Sequence, residues 1–182
     1  MARACWPVHV LRATPDDVFI ASPPLAFTVG LGGLLLFPLS FGASSVLLER
    51  PSPDLLLPAI TRHRATVCFT APTFFRMMAP IVGRYDLASL TKCVSAGEAL
   101  PDATRQLFKQ ASGIEILDGL GSTEMIHIFI SHAPDRVRRG AFRKRRAKAA
   151  SRARLRGVVR GEAKGDIGSV APPSSAVSSR RR

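Results

Sequence analysis

Short apolar runs alternate with helix-like segments through the first two thirds of this chain of 182 residues, and this alternation restricts its fold more than any other feature. The runs are brief and rich in β-branched and aromatic side chains, as buried strands are. Strands are therefore predicted at residues 18–21, 44–48, 66–70, 92–95 and 114–117. Helices are predicted between them, at about residues 28–37, 53–63, 72–82 and 101–111.

This order predicts an α/β fold, in which a parallel sheet is covered by helices on both faces and its crossovers are right-handed. Two helix boundaries carry strong signals. Ser52-Pro53-Asp54 combines a capping serine, a first-turn proline and an acid near the positive helix end, and Gly113 ends the last helix. Because ligands bind beyond the carboxyl ends of parallel strands, the glycine-bearing loops at residues 95–99 and 118–124 are predicted to form a site.

Residues 18–48 carry no charge, which raises the alternative of a membrane-spanning helix. Pro23, Pro24 and Pro38 interrupt the stretch, and residues 40–45 have the composition of a turn. A buried strand–helix–strand is therefore the preferred interpretation.

The first thirteen residues lack the apolar core of a signal peptide. Three widely spaced cysteines predict neither a disulfide framework nor a zinc site. A cytoplasmic location, without membrane contact, is therefore expected.

The composition changes past residue 132. Residues 133–182 hold 16 Lys and Arg against 3 Asp and Glu, whereas residues 1–132 hold 10 of each, so the net charge of +13 lies entirely in the tail. Such a segment buries too little apolar surface to offset its ordering entropy, and it is predicted to be disordered. The chain is thus divided into an N-terminal extension, a folded domain and a basic tail, at residues 1–13, 14–132 and 133–182.

The tail supports an alternative function from another class, a protein that binds nucleic acid. Sixteen basic side chains would hold phosphate backbones in a salt-dependent manner. The tail has one aromatic side chain, Phe142, for stacking on bases and matches no nucleic-acid-binding module, so the binding would be nonspecific.

The loop that ends in Gly121-Ser122-Thr123-Glu124 places two hydroxyls and a carboxylate directly after a predicted strand. Hydroxyls and backbone amides hydrogen-bond phosphate oxygens, and one carboxylate together with substrate phosphates is a common Mg²⁺ environment. Taken alone, the tetrapeptide favours the simpler interpretation of a strand and loop with a helix cap, and a phosphate site stays open as the alternative on these residues.

Three separated motifs extend this interpretation. DGLGSTEMIHIFIS resembles the phosphate- and adenine-binding motif of the adenylate-forming acyl- and aryl-CoA ligases, and SAGEALP upstream resembles their adenine-contacting loop. SPPLAFTVGLGGLLLFPL resembles the segment that carries their aromatic acyl-pocket motif. The amino-acid sequences of these motifs are most similar to those of benzoate-CoA and 2-aminobenzoate-CoA ligases, and the resemblance covers roughly residues 14–132.

The resemblance implies a reaction and a set of residue roles. The family activates a carboxylate with ATP to form an acyl-adenylate and pyrophosphate, and then passes the acyl group to coenzyme A. By resemblance, Thr123 binds the α-phosphate and Glu124 holds Mg²⁺, and both are the implied catalytic residues. The implied adenine and phosphate contacts are Gly97, Glu98, Ala99, Asp118, Gly119, Gly121, Ser122 and Thr123. The implied aryl pocket comprises Phe27, Val29, Gly30, His127 and Ile128.

Two of the pocket residues leave questions open. His127 is equally well explained as a histidine packed behind a loop. Val29 stands where related ligases often carry an aromatic residue, which leaves the identity of the aromatic acid open.

Several parts of the family's machinery have no match in this chain, namely the phosphate loop with its lysine, the ribose-binding aspartate, the hinge and the second catalytic lysine. We therefore expect a ligase fragment that is inactive alone. The abrupt change of composition after Ser131 motivates the hypothesis that the tail is a shifted reading frame, which translation of the neighbouring frames would test. An interaction role for a domain without catalysis stays a further alternative.

Overall fold

A computed structural model describes residues 6–131. Six strands in this part of the chain form one sheet in the order β2-β1-β3-β4-β5-β6. The strands are β1 Val18–Ala21, β2 Ser44–Val46, β3 Val67–Thr70, β4 Lys92–Ser95, β5 Ile116–Gly121 and β6 Ile128–Ser131. The first five are parallel to their neighbours, and β6 is antiparallel to β5. The predicted α/β fold is confirmed, with the addition of one antiparallel edge strand.

Four helices lie between the strands, as the sequence predicts, and a fifth, α1 Pro7–Leu11, is a π-helix that precedes β1 and was not predicted. The four are α2 at residues 28–41, α3 Pro53–His63, α4 Pro72–Met78 and α5 Asp102–Ser112, and a short 3₁₀ turn lies at Val82–Arg84. Helix α2 joins three segments, Thr28–Leu31, Gly32–Leu36 and Phe37–Phe41, of which the central one is a π-helix. It ends at Gly42, whose φ of 70° is left-handed.

Alternate side chains of the strands enter two separate cores, one on each face of the sheet. Phe19 and Phe69 pack with α1 and α2 on one face. Ile20 and Cys68, their neighbours in sequence, pack with α3, α4 and α5 on the other. Because both faces are covered, the central strands lack the polar-outward alternation of a half-exposed sheet.

The strand predicted at residues 44–48 is present, but it is shorter than predicted and is not buried. Strand β2 has three residues, lies at the edge of the sheet beside β1 alone, and exposes Ser44 and Ser45. Leu47 follows it with 62% of its surface exposed. The predicted turn at residues 40–45 is also only partly correct, because α2 continues to Phe41 before Gly42 ends it.

A second correction concerns the glycine motif. Strand β5 continues through Asp118, Gly119 and Leu120 to Gly121, so most of the predicted loop is strand. It pairs with β6, which the sequence pattern did not predict. The connecting turn begins only at Ser122.

The amino ends of β1, β3 and β4 are joined by a buried carboxylate, that of Asp17. It accepts hydrogen bonds from Lys92 Nζ at 2.6 Å, Thr66 Oγ1 at 2.7 Å and the Thr14 amide at 2.8 Å. Burial alone raises the pKa of Asp17, but these hydrogen bonds and the Lys92 charge outweigh it and hold the pKa below its ordinary value.

Replacing Asp17 with asparagine is expected to lower the free energy of unfolding at neutral pH by about 2 kcal/mol, because it leaves the Lys92 ammonium without its charged partner. The lowered pKa means that this stabilisation is present above the ordinary value of 3.8 and is lost as the pH falls through the folded-state value. Urea denaturation at neutral and acidic pH measures both effects. Asp16→Asn, which changes an exposed neighbour, is the matched control.

No helix within residues 6–131 is long and apolar enough to cross a membrane. The predictions of a basic, disordered tail and of its nucleic-acid contacts concern residues 133–182, which lie outside the described part of the chain.

Candidate functional site at the carboxyl edge of the sheet

The two sequence motifs meet at one edge of the sheet because β4 and β5 are neighbours. Ser95, the last residue of β4, is in register with Asp118 of β5. The loop after β4 holds Gly97, Glu98 and Ala99, all exposed. The prediction that ligand-binding loops lie at the carboxyl edge thus has a structural basis.

The loop after β4 is attached to helix α4. The Glu98 carboxylate accepts hydrogen bonds from the Thr73 hydroxyl at 2.9 Å and from the Thr73 amide at 3.3 Å. Gly97 has a φ of +93° and open space around the position of a side chain. A left-handed glycine at this position turns the chain and leaves its backbone accessible to a flat ligand.

The turn between β5 and β6 presents the hydroxyl and carboxylate of the motif to solvent. The Met125 amide donates to Ser122 Oγ at 3.3 Å, and the Ile126 amide donates to the Thr123 carbonyl oxygen at 3.0 Å. Thr123 and Glu124 are both exposed. Hydrogen bonds from the Glu124 amide and the Ser122 hydroxyl lower the pKa of the Glu124 carboxyl, which favours the anion.

The glycines of the motif have close neighbours within the hairpin. A Cβ atom on Gly119 would lie 2.4 Å from the Ile128 side chain, and one on Gly121 would lie 2.7 Å from the His127 carbonyl oxygen. Asp118 is buried, and its carbonyl oxygen accepts a hydrogen bond from Ser131 at 2.9 Å. The absence of side chains at Gly119 and Gly121 therefore allows β6 to lie close to β5, and this structural role is independent of any ligand contact.

His127 fixes the turn to helix α2. Its imidazole is 6% exposed, and Nε2 donates to the Val29 carbonyl oxygen at 3.4 Å. The imidazole centroid lies 4.5 Å from that of Phe37 and 5.7 Å from that of Phe69. Burial lowers the pKa of His127 to about 4, so the imidazole is neutral at physiological pH.

The aryl-pocket residues named from the sequence are only partly brought together. His127 contacts the backbone of α2 through Val29, and Ile128 is buried against Gly119. Gly30 packs against the Pro23–Pro24 turn at the beginning of α2. Phe27 precedes this helix with 65% of its surface exposed.

Two further features of this edge are absent from the sequence-based site. Trp6 is buried beside His127, with 6.1 Å between ring centroids. On the opposite face, the buried hydroxyls of Ser22 and Thr70 are hydrogen-bonded at the ends of β1 and β3. The pairing of Ser22 with Thr70 could have been predicted, because each is a polar residue at the end of a predicted strand. The contact of Trp6 with His127 could not, because no sequence feature near Trp6 points to a residue so distant in the chain.

Lowering the pH from neutrality to about pH 5 is expected to destabilise the protein by an amount on the order of 2 kcal/mol through His127. The unfolded imidazole gains a proton near its ordinary pKa of 6.5, whereas the folded one resists protonation until about pH 4. The associated stability is complete above 6.5 and is lost as the pH falls through this window. Chemical denaturation across the window measures the slope.

His127→Gln should remove most of this slope. His63→Asn, a change at an exposed histidine, should retain it and serves as the matched control. An equal slope in the wild type and in His127→Gln would contradict the burial argument.

A metal ion at this edge would depend on ligand oxygens. Within residues 6–131, no group of three or more His, Cys, Asp or Glu side chains could hold one. Glu124 nevertheless offers one exposed, ionised carboxylate on the turn. This donor set suits Mg²⁺ delivered with a nucleotide, since Mg²⁺ is commonly held by one or two carboxylates together with substrate phosphates.

Comparison with known proteins agrees with these features. The family described as AMP-binding enzyme matches residues 1–154. The benzoate–CoA ligase of Thauera aromatica is 38% identical over 134 residues, which are 72% of this chain and 25% of that protein. The anthranilate–CoA ligase of Pseudomonas aeruginosa is 35% identical over 131 residues, which are 71% of this chain and 25% of that protein.

Two solved structures share the fold and the sequence similarity. The anthranilate CoA ligase AuaEII, in complex with anthranoyl-AMP, has a TM-score of 0.73 and 40% identity, over 76% of this chain and 28% of that one. A benzoate CoA ligase from Burkholderia xenovorans has a TM-score of 0.69 and 38% identity, over 76% and 30%. The chain spans about a quarter of the length of the curated relatives it matches. Its sequence, its fold and the motifs at its sheet edge together show that it belongs to the family of AMP-binding enzymes.

Proposed function

We propose that this chain supplies part of the active site of an ATP-dependent aryl-CoA ligase. The observation that carries the proposal is the turn after β5, where the exposed Thr123 and Glu124 stand four and three residues before the buried His127, which packs among aromatic rings. Exposed polar groups that can bind phosphate thus adjoin a buried aromatic cluster, beside which the aryl group is proposed to bind. The names of the similar proteins, benzoate– and anthranilate–CoA ligases, support this combination.

The proposed reaction begins when an oxygen of the aromatic carboxylate attacks the α-phosphate of ATP. An acyl-adenylate forms and pyrophosphate leaves. The sulfur of coenzyme A, after loss of its thiol proton, then attacks the acyl carbon, a thioester forms and AMP leaves. The Thr123 hydroxyl would donate to an α-phosphate oxygen, which helps to stabilise the negative charge that grows there. The Glu124 carboxylate would hold Mg²⁺ that accompanies the phosphates and neutralises part of their charge.

The remaining residues would bind and orient the two substrates. The adenine slot would be lined by Gly97, Glu98 and Ala99 and by the backbones of Asp118 and Gly119. The phosphates would lie beside Gly121 and Ser122. The aryl pocket would be shaped by Phe27, Val29, Gly30, His127 and Ile128. Catalysis requires all parts of a site to close on one substrate, so a chain of this extent is proposed to bind ligand and to be inactive alone.

Calorimetric titration with a non-hydrolysable aryl-adenylate, 2-aminobenzoyl-sulfamoyl-adenosine, tests this function. We expect the chain to bind this ligand and Thr123→Val to bind it about tenfold more weakly, as one hydrogen bond to a charged or polar group is lost. In titrations with ATP, Mg²⁺ should strengthen binding to the wild type and have little effect on Glu124→Gln.

Asp54→Asn, which removes an exposed carboxylate at the beginning of α3, is the matched control and should behave as the wild type. Failure of the folded wild type to bind the adenylate analogue would contradict the proposed function. Identical Mg²⁺ dependence in Glu124→Gln and Asp54→Asn would contradict the role of Glu124.

A further inference from the structure

We propose that Trp6 is a specificity-determining residue, whose indole N–H acts with Nδ1 of His127 to recognise a hydroxyl group on the ring of the aromatic acid. This inference rests on the proposed function, since it concerns the same aryl site. It adds a residue that the ligase-like motifs do not include and names the substrate class as hydroxybenzoates.

The observation behind this inference is a pair of buried polar atoms without partners. Trp6 and His127 are each 6% exposed, and their ring centroids lie 6.1 Å apart. Trp6 Nε1 and His127 Nδ1 have less than 1 Å² of exposed surface and no hydrogen-bond partner within the described residues. Burial of a polar atom without a partner is unfavourable, and most buried polar atoms in folded proteins are paired.

The two atoms have opposite hydrogen-bonding character. An indole Nε1–H is only a donor. The other ring nitrogen of His127, Nε2, faces the Val29 carbonyl oxygen at 3.4 Å, and a carbonyl can only accept, which assigns the proton of the neutral ring to Nε2. His127 Nδ1 is then an acceptor. One donor and one acceptor therefore lie in a single aromatic cluster with Phe37 and Phe69.

Under the proposed function, this cluster adjoins the aryl pocket. His127 follows directly on the turn that carries Thr123 and Glu124, and it contacts α2, the helix of the acyl-pocket motif. The close packing depends on Gly32 in the π-helical segment of α2, because a Cβ atom there would lie 2.0 Å from the His127 ring. π-helical segments are frequent at functional sites.

A hydroxyl group satisfies both atoms, because its oxygen accepts from Trp6 and its hydrogen donates to His127. An aromatic amine donates well but accepts poorly, since its lone pair is delocalised into the ring, and it satisfies only His127. An unsubstituted ring satisfies neither atom. Sites with buried polar groups discriminate strongly against analogues that leave those groups unpaired. The expected order of affinity is hydroxybenzoyl, then 2-aminobenzoyl, then benzoyl ligands.

Titration of the full chain with a series of aryl-sulfamoyl-adenosines tests this order. The series comprises the benzoyl, the 2-aminobenzoyl and the three isomeric hydroxybenzoyl compounds. We expect at least one hydroxybenzoyl isomer to bind about tenfold or more tightly than the benzoyl compound. Trp6→Phe, which keeps an aromatic ring and removes the N–H, should lower the ratio of the hydroxybenzoyl to the benzoyl affinity by most of that advantage.

A variant elsewhere in the same core separates specificity from stability. Phe19→Leu alters a buried ring that stacks on Phe69, and it should lower stability without changing the order of affinities. Trp6 is the only tryptophan of the chain, so its indole gives a single ¹⁵N–¹H resonance. This resonance should shift with the favoured hydroxybenzoyl ligand and move much less with the benzoyl one, a measurement that needs no variant.

The outcomes distinguish this inference from the proposed function. Binding of every analogue with equal affinity, or a hydroxyl preference that persists in Trp6→Phe, would overturn the role of Trp6 and leave the ligase assignment intact. An indole resonance that responds equally to the hydroxybenzoyl and benzoyl ligands would overturn it as well. Failure of all five analogues to bind the folded chain would overturn the proposed function and this inference together.

Discussion

Replacing Gly30 with alanine is expected to lower the free energy of unfolding by about 3 kcal/mol, although alanine usually favours a helix. A Cβ atom at this position would lie 2.1 Å from the Pro24 carbonyl oxygen and 2.4 Å from that of Pro23. Both obstacles are backbone atoms, so no rotation of a side chain relieves the overlap. Helix α2 would have to move away from the Pro23–Pro24 turn, which would also displace the Val29 carbonyl from His127.

Urea denaturation of Gly30→Ala measures the loss, and Gly83→Ala is the matched control. Gly83 has open space at the Cβ position and lies in a short 3₁₀ turn, so alanine there should change stability by less than about 0.5 kcal/mol. Equal stabilities of the two variants would mean that α2 does not pack against the proline turn as described.

Replacing Phe69 with alanine is expected to cost about 4 kcal/mol, the larger of the two losses, because it removes a buried ring and leaves a cavity. Phe69 has no exposed surface and stands at the centre of the core beneath α2. Its ring centroid lies 5.7 to 6.3 Å from those of Trp6, Phe19, Phe37 and His127. The loss would also admit water beside His127 and raise the pKa of its imidazole towards the ordinary value.

Phe129→Ala is the control for a change of the same size. Phe129 is 45% exposed on the edge strand β6, so its truncation should cost much less than that of Phe69. Denaturation curves give the two stabilities, and an NMR titration of His127 in Phe69→Ala gives the pKa. A loss no larger than that of Phe129→Ala would contradict the position of Phe69 in the core.

The central strands were predictable because burial on both faces makes them continuously apolar. Residues 18–21 and 92–95 coincide with β1 and β4, and α3 begins and ends where its proline and His63 indicate. Ser52 stands at the capping position of α3, as predicted, but its side chain makes no capping hydrogen bond. Local signals thus locate an element more reliably than they identify the contacts that stabilise it.

The errors lie at the edges of the sheet, where burial depends on neighbours that are distant in sequence. Residues 44–48 are as apolar as a central strand, yet β2 has only β1 beside it. The glycines of the motif suggested a loop, whereas Gly119 and Gly121 allow the close approach of β6. Nothing local in the motif distinguishes a glycine that turns the chain from one that admits a neighbouring strand.

The candidate site was only partly predictable for a related reason. Motif spacing located Thr123 and Glu124 on an exposed turn and His127 beside it. The tertiary contacts of His127 with Trp6, Phe37 and Phe69 join four separate elements, and no local pattern encodes them. The candidate side chains could therefore be named from the sequence, whereas their tertiary neighbours follow only from the fold.

We propose that this chain carries part of an adenylate-forming site, and a chimera tests this proposal most directly. Residues 6–131 would replace the homologous segment of the Thauera aromatica benzoate–CoA ligase, and ATP–pyrophosphate exchange would be measured with benzoate and with hydroxybenzoates. We expect exchange well above that of a ligase lacking the segment, with Glu124→Gln lowering it on the order of a hundredfold and Asp54→Asn leaving it unchanged. A folded chimera that shows no exchange, or one in which Glu124→Gln and Asp54→Asn are equally active, would contradict the claim.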